Sequence, residues 1–157
     1  KPLNAGPIGV EALSILRAEK GFIMIGKDTD GETMPHDLGF TAPRQKKTAP
    51  FVGDRSLHTD TANAPDRKQL VGLTVPSGPP LPTGAHLVTD DSPPRSLGYV
   101  TSSYHSPTLG RPIALALVEN GTDRMGDTLT AWHLGDTRQA TVSPPCALDP
   151  EGDRLDA

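Results

Sequence analysis

Residues 98–118 read GYVTSSYHSPTLGRPIALALV, and this stretch decides the fold. LGYVTSSY (97–104) is an apolar-to-polar run of strand length. SPTLGR is a turn signal. PIALALV (112–118) then carries Ile113, Leu115 and Leu117 on one face and Ala114 and Ala116 on the other. At a side-chain period of two, this second run is apolar on both faces, which predicts a strand buried on both sides. The pair is therefore expected to be two adjacent strands.

The same punctuation continues on either side. QLVGLTV (69–75), AHLVTD (85–90), LTAWHL (129–134) and RQATV (138–142) read as four more strands, separated by SGPPLPTG, DSPPRS, NGTDRMGD and a GDT hairpin signal. Six short strands bounded by Gly or Pro indicate a small antiparallel barrel or sandwich. Upstream the pattern differs. Residues 8–20, IGVEALSILRAEK, form the clearest helix, with Val10, Leu13 and Leu16 as an apolar stripe, Pro7 at the entry and Gly21 placed as a left-handed C-cap. FIMIG (22–26) reads as a buried strand and Asp30-Gly31 as a turn. Residues 33–50, with the basic group Arg44, Lys46 and Lys47, read as a solvated connection. FVGDRSLH (51–58) reads as a short helix and 59–68 as a polar linker.

Composition agrees with a turn-rich domain. The 157 residues include 16 Gly and 17 Pro, too many for a helical bundle. A net charge of -4 argues against a nucleic-acid module. No apolar run approaches the ~18 residues of a spanning helix. The single cysteine, Cys146, excludes an internal disulfide framework and fits a reducing compartment. A start at Lys1, with no signal-peptide pattern, reads as a cut end of something larger.

Chemistry-bearing patterns are few. His36, His58, His86, His105 and His133 have no metal-ligand spacing, and Asp28 to Gly39 lacks the glycine and glutamate of a calcium loop. Cys146 has no base near it in sequence, and no phosphate-binding or nucleophile-elbow motif occurs. Two segments remain. One is LRAEKGFIMIGKDTDG (16–31), with Arg17 at a helix end. The other is the polar cluster Thr101, Ser102, Ser103, Tyr104 and His105 at a strand end, a composition that suits either a ligand mouth or a wet loop.

Both segments carry a resemblance. With PHDLGF (35–40), FVGDRSL (51–57), RKQLVGL (67–73), DRMGDTL (123–129) and DPEGDRL (149–155), they fall in order along nearly the whole chain. The chain resembles the C-terminal part of the alpha subunits of heterotetrameric sarcosine oxidases, within the aminomethyltransferase (glycine cleavage T-protein) family. The resemblance implies an α+β, mainly β fold: a six-stranded antiparallel Greek-key-like barrel over 66–157, preceded over 1–58 by a helix and strand ending a folate-binding domain. It implies a role in binding tetrahydrofolate, so that the one-carbon unit from oxidised sarcosine is captured as 5,10-methylenetetrahydrofolate. NAD and the flavins FAD and FMN would sit elsewhere in the intact complex, and beta, gamma and delta subunits would be the partners. A cytoplasmic location and no activity of the fragment alone are the matching expectations. No catalytic residue and no metal site is expected in this chain.

By the same resemblance Arg17 lines the folate pocket and Tyr104 faces it, with Ser103 and His105 beside it. Arginine suits anionic or amide groups through its planar fork, and tyrosine suits a ring face. Ile25 stands where T-proteins commonly carry a tyrosine, and sarcosine oxidase alpha subunits often have an aliphatic residue there. Ala42-Pro43 and Cys146-Ala147 replace aromatics that the family favours. Two other readings stand beside this one: a non-catalytic folate-binding or assembly module, and a fragment of a stand-alone aminomethyltransferase.

Overall fold

A computed structural model describes residues 5–40 and 49–154. The basic group at 44–47 and the Ala42-Pro43 departure lie outside the described residues. The order of elements is one helix, α1 (Val10–Glu19), and six strands: β1 (Lys68–Thr74), β2 (His86–Val88), β3 (Ser96–Ser106), β4 (Arg111–Glu119), β5 (Thr128–His133) and β6 (Asp136–Ser143). The strands close into an antiparallel barrel in the order β1-β4-β3-β2-β5-β6. Strand β1 lies beside β4, across the β2-β3-β4 meander, which is the Greek-key connection. No helix among the described residues is long and apolar enough to cross a membrane.

Alternation along β4 builds two interiors. Ala114, Ala116 and Val118 point into the barrel with Val71, Leu73, Leu87, Val100, Leu129 and Val142. Leu115 and Leu117 face outward and, with Leu70, pack against Ile23, Leu38 and Tyr99 from outside. The strand is buried on both sides because the N-terminal segment covers its outer face. Small alanines point inward, where the barrel is narrow, and the larger leucines point outward. Each fully buried aliphatic side chain contributes about 1.5–3 kcal/mol.

Glycine permits one close contact here. A Cβ on Gly98 would lie 1.9 Å from the Leu117 carbonyl oxygen, so β3 and β4 approach too tightly for a side chain. The β5–β6 turn is Leu134-Gly135, one residue ahead of the expected GDT. Both residues have positive φ (48° and 95°), as a two-residue hairpin of type I′ requires.

Two expectations upstream of the barrel are corrected. Residues 22–26 do not form a strand. The Met24 carbonyl accepts from the N–H groups of Lys27 (3.0 Å) and Asp28 (2.9 Å), and the Met24 N–H donates to the Asp28 carboxylate (2.9 Å). The backbone groups that a sheet would use are spent closing a turn. The apolar stripe of α1 lies exposed, with Val10 at 79%, Leu13 at 55% and Leu16 at 49%, whereas Arg17, Ala18 and Glu19 are buried. The short helix expected at 51–58 is one 3₁₀ turn, Asp54–His58.

Candidate functional site

The polar end of α1 is where the helix meets the barrel. Gly21, in the left-handed region at φ 72°, ends the helix as expected. Its N–H donates to Ala18 (3.1 Å), and the Phe22 N–H donates to Arg17 (2.8 Å), which is a Schellman closure. This sharp stop sends the chain back past the helix end and brings the 24–28 turn beside Arg17.

Arg17 is 8% exposed, and its fork is occupied. One terminal nitrogen, Nη1, pairs with Asp28 Oδ2 and also reaches the Phe22 carbonyl (3.2 Å). The other, Nη2, donates to Ser102 Oγ (2.6 Å). Asp28 has no exposure. Its Oδ1 accepts from Ser102 Oγ (2.6 Å) and Thr101 Oγ1 (2.5 Å). Burial works to raise the Asp28 carboxyl. The Ser102 and Thr101 hydroxyls, the Met24 N–H and the Arg17 charge outweigh it and hold the group below the usual carboxylate value.

Two neighbouring residues of one strand reach the same oxygen because β3 is bulged there. Val100 pairs with Ala116 and Ser102 with Leu115, leaving Thr101 without a partner of its own. A bulge locally breaks the two-residue alternation, so consecutive side chains can share a side.

Tyr104 stands at the edge of this cluster. Its ring centroid lies 5.8 Å from the Arg17 guanidinium carbon and 5.1 Å from Lys27 Nζ, and its hydroxyl accepts from Lys27 at 2.7 Å. Burial raises the phenol, but Lys27 and Arg17 overcome this and lower it below its usual value.

Arg17 and Tyr104 are thus brought together. Ser103 is turned away and donates to the Ile113 carbonyl (3.3 Å). His105 is exposed on β3. Sequence reasoning missed Asp28 and Lys27 as site residues, since GKDTDG reads as a plain turn. Thr101 and Ser102 had been marked only as part of a polar strand end. The signal for Asp28 is its distance from Arg17: eleven residues, spanning one helix stop and one turn.

A second polar clamp sits two residues beyond Arg17. Glu19 is buried and accepts from Ser106 Oγ (2.5 Å) and Thr108 Oγ1 (3.3 Å). Its carbonyl accepts from the N–H groups of Ala147 and Leu148 (both 2.9 Å). Lys20 reaches Asp149 Oδ2 (3.2 Å). A Cβ on Gly21 would lie 2.8 Å from the Pro145 carbonyl carbon. The contacts of Arg17, Glu19, Lys20 and Gly21 together tie α1, the end of β3 and the 145–149 tail.

The cavities lie elsewhere. One of about 270 Å³ is lined by Asp30, Glu32, Asp37, Asp66, Arg67 and Glu119. Arg67 spends its donors there on Asp37 and on the Glu32 and Thr61 carbonyls. Another, of about 280 Å³, is apolar and lies between Pro35, Phe40, Phe51 and Leu57. Neither touches Arg17 or Tyr104. We assign the site by its converging polar groups rather than by these hollows, whose one arginine is fully paired. Among the described residues no group of three or more His, Cys, Asp or Glu could hold a metal ion.

Comparison with known proteins agrees with this architecture. The chain is 42% identical to sarcosine oxidase subunit alpha of Corynebacterium sp. (strain P-1), over 98% of this chain and 16% of that relative. It is 37% identical to the mitochondrial aminomethyltransferase of Gallus gallus, over 79% of this chain and 31% of the relative. It therefore spans about a sixth to a third of the length of these curated relatives. The crystal structure of glycine cleavage system aminomethyltransferase T from Bartonella henselae superposes with a TM-score of 0.77 at 24% identity, covering 90% of this chain and 39% of that one, which is a likeness of fold. A family model described as the glycine cleavage T-protein C-terminal barrel domain matches residues 68–149, the run that holds all six strands, and the chain belongs to that family.

Proposed function

We propose that this chain is the C-terminal part of a sarcosine oxidase alpha subunit. Its helix-end seam contributes one wall of a tetrahydrofolate site, with a domain boundary between residues 58 and 66. The observation that carries this reading is the 42% identity to such a subunit along nearly the whole chain. The seam supports it. Arg17 has a buried Nε with no partner among the described residues, which leaves one donor for a ligand or water. The Tyr104 ring beside it offers a face for a flat aromatic group of the ligand.

Tetrahydrofolate, when bound, supplies amine nitrogens that take up the one-carbon unit released from oxidised sarcosine, giving 5,10-methylenetetrahydrofolate. This chain's residues bind and orient. Asp28 holds the Arg17 fork still and Tyr104 stacks. Oxidation belongs to NAD- and flavin-bearing regions and to beta, gamma and delta partners, in a cytoplasmic heterotetramer. The 157-residue chain alone is inactive.

Formaldehyde release during sarcosine oxidation tests the proposal, measured on the assembled protein with and without tetrahydrofolate. The expected result is a fall in free formaldehyde on adding tetrahydrofolate, and a smaller fall in Tyr104→Ala. Unchanged formaldehyde in the wild type refutes the folate role.

A further inference from the structure

We propose that Lys27 and Tyr104 form the carboxylate-recognising contact of this site, taking a carboxylate of the glutamate tail of tetrahydrofolate. This rests on the folate reading above. Lys27 is half-buried at the 24–28 turn and makes no ion pair with a carboxylate among the described residues. Among the described residues its ammonium has one hydrogen bond, to the phenol oxygen of Tyr104 at 2.7 Å. An ammonium has three N–H donors, so two remain. The phenol oxygen acts as acceptor in that bond, and its own proton has no acceptor among the described residues. An N–H and an O–H donor therefore stand side by side, a spacing that suits the two oxygens of one carboxylate.

Arg17 does not fill this role, contrary to what its residue type suggests. Its terminal nitrogens are committed to Asp28, Ser102 and the Phe22 carbonyl, and the Asp28 charge neutralises it. Among the described residues the positive charge without a carboxylate partner at the edge of the seam is that of Lys27. A half-buried ammonium without a counter-ion is costly, and an arriving carboxylate removes that cost. Phe22 (62% exposed) and Ile25 (78%) lie on the same turn. They give the contact an apolar flank suited to the aromatic spacer that precedes a glutamate. The lowered Tyr104 phenol is consistent with donors crowded round its oxygen.

The test titrates the full-length protein with tetrahydrofolate and with tetrahydropterin, which lacks the aminobenzoyl-glutamate. In Lys27→Met, tetrahydrofolate is expected to bind about tenfold more weakly, the loss of one charge-assisted contact. Tetrahydropterin is expected to bind as in wild type, which also reports a folded site. Lys27→Arg, which keeps charge and donors, is expected to restore most of the loss. Equal weakening of both ligands, or of neither, overturns the proposal while leaving the folate reading standing. A wild-type protein that binds neither ligand overturns both.

Discussion

The barrel interior and the α1 seam are built on opposite rules. Inside the barrel the packed cluster is apolar, and the alternation of β4 decides which of its residues enter. At the seam the buried groups are Arg17, Glu19, Asp28, Thr101 and Ser102, while Val10, Leu13 and Leu16 of the same helix face outward. The barrel is held by area removed from water, which is tolerant of exact position. The seam is held by directed bonds around one carboxylate, which demand position. Such a seam costs desolvation and returns orientation, and it stands beside the residues proposed to meet a ligand.

The largest way to break this contrast is at its centre. Asp28→Ala leaves Arg17 buried without a counter-charge and is expected to cost about 3–5 kcal/mol in urea unfolding of the chain. Replacing both partners, Arg17→Met with Asp28→Leu, is expected to recover most of that loss. A double variant as unstable as the single one would mean that the pair is worth more than the avoided orphan charge. In the barrel, Leu87→Ala is expected to cost about 2–5 kcal/mol through a cavity. No second substitution on the seam should offset it.

Acid separates the two regions again. The Asp28 carboxyl lies below its ordinary value of 3.8 in the folded protein. Below 3.8 the unfolded chain takes up a proton that the folded one refuses. The Asp28 contribution is therefore complete above 3.8 and is lost as pH falls through the lower folded value. Urea midpoints measured below pH 4 should fall less steeply in Asp28→Asn than in wild type, and parallel curves would contradict the assignment.

Smaller effects sharpen the seam. Gly21→Ala places a side chain at φ 72° and 2.8 Å from Pro145, and is expected to cost about 1–2 kcal/mol from the left-handed conformation alone. The two tyrosines give a readout with no stability change. Burial and Asp30 raise Tyr99 above its ordinary 10.0, while Tyr104 lies below it. Alkaline absorbance titration should show two steps, and Lys27→Met should move only the earlier one upward.

Much of the barrel was legible because period-two alternation and Gly/Pro punctuation report burial directly. All six strands fall where those signals place them, within a few residues. The seam was not legible for three physical reasons. FIMIG has strand composition, yet its Met24 amide is captured by the Asp28 carboxylate and its Met24 carbonyl by the amides of Lys27 and Asp28. The apolar stripe is the plain signal in α1, and it does not reveal that the docking contacts come from Arg17 and Glu19 at the helix end. The bulge at Thr101 obeys no simple pattern and alone lets two hydroxyls meet Asp28. Of the site residues expected from the resemblance, Arg17 and Tyr104 come together, while Ser103 points to a backbone carbonyl and His105 lies exposed.

The central claim is that the seam presents a folate-facing wall whose aromatic element is Tyr104. Equilibrium dialysis of tetrahydrofolate against the full-length protein and its Tyr104→Ala variant tests it most directly. The account predicts binding at least tenfold weaker in the variant, with an unchanged unfolding midpoint. Equal affinity in the two proteins would contradict it.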